Sequence, residues 1–268
     1  MSDDATSRKA RTVALFDRIA RDYDQGGRGC FAHFGRRLVD LVGVASGQRV
    51  LDVACGRGAI LFPAAERVGA AGAVVGIDLA EGMVRATRHE ATRRGLPLAV
   101  HVMDAEALAF PDAAFDCVLC GFSLMAFPDV ARALGEFGRV LAPTGRLGVS
   151  TWRVNELHDL AAVLTRLGFA NPRGNALRFA EPDDVARALL AAGFADVRVR
   201  LDAHTQRYAD LEHYWQTALG SGMCAWLDTL DAAQTAQVRA ALADHLRPFQ
   251  REGGIHLEAI AVLAEARR

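Results

Sequence analysis

The sequence predicts an α/β protein built on a doubly wound, mostly parallel sheet of seven strands, with a helical cover ahead of the sheet and a helical insertion before its last strand. Three observations point there. Between residues 48 and 152, short β-rich runs alternate with helical patterns, as a parallel sheet covered by helices requires. Three successive runs end in aspartates, Asp52, Asp78 and Asp104, each 26 residues after the last. A turn with glycines at Gly56 and Gly58 follows the first run and opens a helical pattern.

Taken in order, residues 10–24 carry Val13, Phe16, Ile19 and Ala20 at helical spacing, and residues 31–42 repeat the pattern with Phe34, Leu38 and Leu41. Strands follow at 49–53, 73–77, 99–103, 115–120 and 147–152, with helices near 60–68, 81–94 and 130–141 between them. The last of these helices is entered through Pro128 and left through Pro143 and Gly145. Pro182 starts a helix over 182–192 that Gly193 stops, and strands at 197–201 and 256–263 complete the seven. Residues 208–249, between those two strands, are mostly helical and hold Tyr208, Tyr214, Trp215 and Trp226, which suits a lid.

A chain of 268 residues buries a sizeable core without disulfides or metals. With 51% hydrophobic and 24% charged residues, it is neither disordered nor fibrous. Lys and Arg number 31 against 32 Asp and Glu, so there is no basic excess for nucleic acid and the expected partner is a small, roughly neutral molecule. Only Lys9 is a lysine. No run approaches a membrane span, and the acidic Met1-Ser-Asp-Asp start lacks a signal-peptide core, so a cytoplasmic location is expected. Five irregularly spaced cysteines suit reduced thiols, and the Cys117-Val-Leu-Cys120 pair falls inside a strand instead of at a helix start, where redox pairs sit.

In an open parallel sheet, ligands bind beyond the carboxyl ends of the strands. Gly56 and Gly58 let a ligand approach the backbone, and Asp78, 20 residues beyond Gly58, stands where an acid accepts hydrogen bonds from two ribose hydroxyls. With Asp104 they describe a nucleoside-bearing cofactor across three strand tips. Leu61 occupies the place of the third small residue of a dinucleotide fingerprint, which disfavours NAD, and no G-K-[ST] follows the turn, which excludes a P-loop.

At these residues the chain resembles class I S-adenosylmethionine-dependent methyltransferases, in particular the ubiquinone/menaquinone biosynthesis branch. The matching runs are residues 50–58, 75–83, 104–108, 110–112, 115–116 and 141–146, preceded by Phe16-Asp17-Arg18-Ile19-Ala20 and Tyr23-Asp24. The resemblance implies a single Rossmann-like domain with an N-terminal cover (1–45), a cofactor core (46–153) and a C-terminal part (154–268) with a lid at about 208–249. It implies S-adenosyl-L-methionine as cofactor and S-adenosyl-L-homocysteine as product. By residue, it implies Asp52, Ala54, Gly56 and Gly58 around the methionine part and Tyr23 over its carboxylate. Asp78 then holds the ribose, Leu79 and Met83 pack on adenine, and Asp104 with Ala105 reads the adenine edge. Cys120 and Phe122 line the cofactor on the acceptor side. Arg57 departs from the commoner threonine.

Methyl transfer from a sulfonium needs placement and exclusion of water, with no metal or covalent intermediate. An oxygen acceptor usually needs a base. His33, His158, His204, His213 and His256 are the candidates, none of them assigned, and no catalytic residue is named. Phe122, Met125, Phe127, Trp152, Tyr208, Tyr214 and Trp215 are the expected acceptor-pocket residues, suited to a flat or hydrophobic small molecule from secondary metabolism or quinone biosynthesis. Two other readings stay open: an enzyme that retains the cofactor for a cyclisation or decarboxylation, and a non-catalytic module on the same fold. The expected state is a monomer or homodimer without nucleic acid.

Overall fold

The structure, a computed structural model, describes residues 5–24, 29–153, 159–172 and 179–268. Helices α1 (Ala5–Ile19) and α2 (Cys30–Val42) precede strand β1 (Arg49–Val53), which opens the alternation α3 (Leu61–Val68), β2 (Ala73–Asp78), α4 (Glu81–Arg93), β3 (Ala99–Val102), β4 (Phe115–Gly121), α5 (Val130–Val140), β5 (Leu141–Trp152). Beyond these lie α6 (Asp159–Arg166), α7 (Pro182–Ala191), β6 (Ala195–Tyr208), α8 (Leu211–Leu219), α9 (Cys224–Leu227), α10 (Ala232–Leu246), β7 (Gln250–Arg251) and β8 (Gly254–Arg267).

The sheet runs β3-β2-β1-β4-β5-β8-β6, with β7 paired to β8. β1 to β5 are parallel and β8 runs antiparallel to both neighbours. The sheet thus has eight strands where the sequence suggested seven, the extra one being the two-residue β7. Successive strands step outward from β1 in one direction, then resume at β4 on its other side, so the switch point lies between β1 and β4. Alternate residues face opposite layers: Val50, Cys117 and Leu119 pack with Leu38, Val42 and Leu61, while Leu51, Val118 and Cys120 pack with Leu134, Phe137 and Leu189.

The strands at the carboxyl side of the chain are longer than their apolar patterns. β6 runs over 14 residues against the expected five, because its second half, mostly polar in sequence up to Tyr208, is held as a strand by pairing with β8. β5 begins at Leu141, six residues early, with Pro143 and Gly145 inside it. α1 starts at Ala5 and stops at Ile19, so Tyr23 and Asp24 follow it in a turn.

Cys117 and Cys120 are buried in opposite layers. Burial pushes the Cys117 thiol up to about 11 and the Cys120 thiol well above the usual range. Intact-mass analysis of protein purified without reductant is expected to show both as free thiols; a Cys117–Cys120 disulfide overturns the packing described.

Candidate active site

A cleft, open to solvent on one side, lies across the carboxyl ends of β1 to β4 at the switch point. Asp52, Ala54, Cys55 and Gly56 reach it from the β1 turn, Asp78 and Leu79 from β2, Met103, Asp104 and Ala105 from β3, and Gly121, Phe122 and Ser123 from β4. Met83 adds the first turn of α4, and Tyr23 and Phe31 come from the amino-terminal segment.

The β1 turn is left-handed at Ala54 (φ 55°) and Gly56 (φ 50°), which turns its peptide groups toward the cleft. Asp78 holds this shape: one carboxylate oxygen accepts from the Gly56 N–H and the other from the Ala80 N–H, both at 2.9 Å. α2 presses on the turn from behind. A Cβ on Gly35 would lie 2.1 Å from the Ala59 carbonyl oxygen, so only glycine permits this approach.

Asp52 is 1% exposed, and among the described residues neither carboxylate oxygen has a hydrogen bond of normal geometry; the Leu61 amide offers partial relief. Burial, then the neighbouring Asp78 charge, pushes its carboxyl well above the usual range. Burial also raises Asp78, against three backbone N–H groups that lower it. The site therefore holds two crowded acids and, among the described residues, no cation paired with Asp52, an arrangement that suits a ligand bringing its own positive charge.

At the β3 tip, the Lys9 ammonium lies 2.6 Å from carboxylate oxygens of both Asp104 and Glu106. Asp104 also accepts from the Glu106 N–H at 2.9 Å. Asp17 of α1 accepts from the Gly82 N–H at 2.6 Å, capping α4, and Arg18 pairs with Asp228 beyond α9. α1 thus joins the cleft to the carboxyl-terminal insertion. The opposite wall is aromatic. Phe122 has a left-handed backbone (φ 55°), rare for a bulky side chain, held by its N–H on the Ser150 carbonyl at 2.8 Å. Its ring stacks on Trp152 at 4.0 Å and meets the edge of Phe31 at 5.4 Å.

Of the residues singled out in the sequence, Tyr23, Asp52, Ala54, Gly56, Asp78, Leu79, Met83, Asp104, Ala105 and Phe122 meet at this cleft. Gly58 does not line it; it packs beside the Phe62 ring. Cys120 faces the α5 layer, and Trp152 stands behind Phe122. Met125 lies in the short turn after β4 with its side chain off the cleft. Tyr208, Tyr214 and Trp215 pack into a separate core with Leu160, Trp226 and Val238, because α6 and α10 cover the face that carries them. Among the described residues no part of the 208–249 insertion lines the cleft. His33 bonds Asp202 at 2.9 Å and stacks on His204, away from the cleft; His213 and His256 also lie elsewhere, and His158 is outside the described residues. Phe127, also singled out in the sequence, lines the cleft, whereas sequence reasoning missed Lys9 and Phe31 as lining residues. Being the only lysine was the sole signal for Lys9.

Residues 50–145 match a family model described as a methyltransferase domain. Nocamycin O-methyltransferase of Saccharothrix syringae is 38% identical over 259 residues, covering 90% of this chain and 92% of that protein. Demethylmenaquinone methyltransferase of Thermus thermophilus is 42% identical over 139 residues, 50% of this chain and 63% of that protein. A crystal structure of a SAM-dependent methyltransferase from Aquifex aeolicus shares the fold, with a TM-score of 0.56 and 23% identity over 69% of this chain and 90% of that one. A left-handed glycine turn below three strand-tip acids, in a chain with a relative of this similarity along nearly its whole length, makes this protein a member of the S-adenosylmethionine-dependent methyltransferase family. Its cofactor is S-adenosylmethionine, and the site's spare negative charge at Asp52 fits that cationic ligand.

Proposed function

We propose that the chain methylates an oxygen of a flat, largely apolar small molecule. The observation that carries this reading is the division of one cleft into an acid-lined wall, Asp52, Asp78 and Asp104, and an aromatic wall, Phe31, Phe122 and Phe127. When bound, the cofactor supplies a methyl group on a sulfonium. Asp78, at a strand tip, is placed to accept from ribose hydroxyls, Asp104 and the Ala105 amide to read the adenine edge, and Leu79 and Met83 to pack on its faces. Asp52 and the β1 turn take the ammonium of the methionine end, with Tyr23 closing over it. Phe122 offers a ring face to a planar acceptor, and the backbone strain at that residue suits a position where ring placement matters. α1 and α2 exclude water on the cofactor side, and the 208–249 insertion braces α1 there through the Asp228–Arg18 ion pair. Oxygen is favoured because a relative that matches over 90% of this chain is named as an O-methyltransferase. Five buried cysteines suit a reducing cytosol.

Incubation with S-adenosylmethionine and demethylated nocamycin or a panel of phenolic and acidic polyketides tests this. The expected product gains one methyl, with a carbon-13 shift typical of a methyl on oxygen. A product of unchanged mass favours the cofactor-retaining alternative, and a methyl on carbon overturns the choice of oxygen. With an acceptor in hand, Phe122→Ala is expected to raise the acceptor KM about tenfold, from a lost ring contact and its burial, while cofactor Kd changes less than twofold. Equal changes in both constants overturn the acceptor-side placement of Phe122.

A further inference from the structure

α1 lays one stripe along the cleft: Lys9, Thr12 and Phe16, three and four residues apart, all line it. The helix is anchored by apolar contact at its far end, where Ile19, its one buried residue, packs with Ala20, Ala80 and Met83. None of residues 5–14 is buried, and Lys9 ties that half to the core by charge. Its ammonium lies 2.6 Å from Asp104 Oδ2 and 2.6 Å from Glu106 Oε2. The Glu106 side chain is only 6% exposed, and its other oxygen accepts from the Asp129 N–H at 2.9 Å. Asp129 caps α5 two residues past Phe127 of the aromatic wall, and Arg132 Nε donates to the Glu106 carbonyl at 2.8 Å. One buried carboxylate therefore joins the free half of α1 to the start of α5. An ammonium shared between two carboxylates and mostly shut from water is held more firmly than a surface pair, and its loss leaves Glu106 a buried charge with one partner fewer.

We propose that Lys9 is a positioning residue, a latch that holds the amino-terminal half of α1 along the cleft and thereby sets how long the cofactor stays bound. This rests on the adenine end lying at the β3 tip, as proposed above. Each Asp104 oxygen accepts one hydrogen bond, Oδ1 from the Glu106 N–H and Oδ2 from Lys9, so the carboxylate is fixed in orientation and keeps acceptor capacity on both oxygens for a ligand. With the latch closed, Thr12 and Phe16 stay against the cleft, and departure of the cofactor waits on Lys9 leaving both carboxylates. The coupling is reciprocal: a ligand retained by the closed helix also keeps the helix closed.

Two measurements test this, and neither needs an acceptor. Release of radiolabelled S-adenosylmethionine into excess S-adenosylhomocysteine is expected to be about tenfold faster in Lys9→Met and intermediate in Lys9→Arg, which keeps the charge. Adding Glu106→Gln to Lys9→Met is expected to speed release by less than about twofold more, because both changes open one latch. Hydrogen exchange over residues 5–14 is expected to slow on adding S-adenosylhomocysteine to the wild type and to stay fast in Lys9→Met. Release at the wild-type rate in Lys9→Met overturns the proposal, as does ligand protection of residues 5–14 that survives the substitution. Effects of Lys9→Met and Glu106→Gln that multiply also overturn it, since the two would then act separately. Should Lys9→Met not fold, Lys9→Arg and Glu106→Gln carry the same two measurements, each expected to speed release and reduce protection. Asp104→Asn separates the two levels. If it weakens cofactor binding while Lys9→Met releases at the wild-type rate, Lys9 alone is misassigned; if it leaves binding unchanged while Lys9→Met releases faster, the latch stands and the adenine end lies elsewhere.

Discussion

Replacing Asp52 by asparagine is expected to raise the melting temperature of the ligand-free protein while weakening its hold on the cofactor. The carboxylate is buried, lacks a good hydrogen bond and faces the Asp78 charge, so its charged form is disfavoured in the folded state and its carboxyl is pushed well above the usual range. The sign of the pH effect follows. A carboxyl raised on folding binds its proton more tightly in the native than in the unfolded state, so it costs nothing at low pH. The penalty grows as pH rises past the unfolded value and is complete above the folded one. Asparagine has the same shape and no charge to bury. At neutral pH the variant is expected to be about 1–3 kcal/mol more stable, which for a chain of this size is a rise of several degrees. The cationic ligand favours ionised Asp52, so wild-type affinity for S-adenosylhomocysteine should strengthen with rising pH, and that dependence should vanish in the variant. Scanning calorimetry and titrations at several pH values measure both. A melting temperature that stays or falls overturns the account of Asp52 as a destabilising charge kept for the ligand.

Loss of the Asp78 carboxylate is expected to have the largest effect on cofactor affinity. It stands to lose two ribose contacts and also the bonds that hold the Gly56 and Ala80 amides in place, so ligand contact and turn geometry fail together. Asp78→Ala should weaken S-adenosylmethionine by about 1.5–3 kcal/mol, or roughly ten- to hundredfold, with the fold retained because the side chain is at a strand tip and not in a core cluster. Asp78→Asn carries a second signature. Removing that charge relieves Asp52, so the pH dependence of cofactor binding should move to lower pH. A calorimetric Kd within twofold of wild type for Asp78→Ala removes the ribose assignment.

The acid-lined wall of the cleft was legible because its logic is local in the chain. Asp52, Gly56, Asp78 and Asp104 each end or follow a β run, and strand alternation sends such residues to one edge of a parallel sheet whatever covers its faces. The aromatic wall was legible in Phe122 and Phe127, for the same reason: both follow β4. Tyr208, Tyr214 and Trp215 misled because aromatic content says nothing about which neighbour an aromatic face will meet. α10 and α6 supplied that neighbour, and the rings closed a core of their own. Phe31 carried no such signal, since its position in an amphipathic helix reads as packing until the helix is laid across the strand tips.

Periodicity, strand-end acids and a glycine turn thus determined the α/β class, the order of its central elements and the chemistry of the cofactor, since each depends on residues near one another in sequence. Tertiary structure alone decided the length of β6 and the presence of β7, because an edge strand is defined by its partner and not by its own pattern. It decided that Lys9 would meet Asp104, 95 residues away, and that Arg57 would reach back to Ala20 and Arg21. It decided that Asp52 would be left, among the described residues, without a hydrogen bond of normal geometry. Whether a buried carboxylate finds a donor depends on which backbone folds over it, and here the fold brings none of normal geometry.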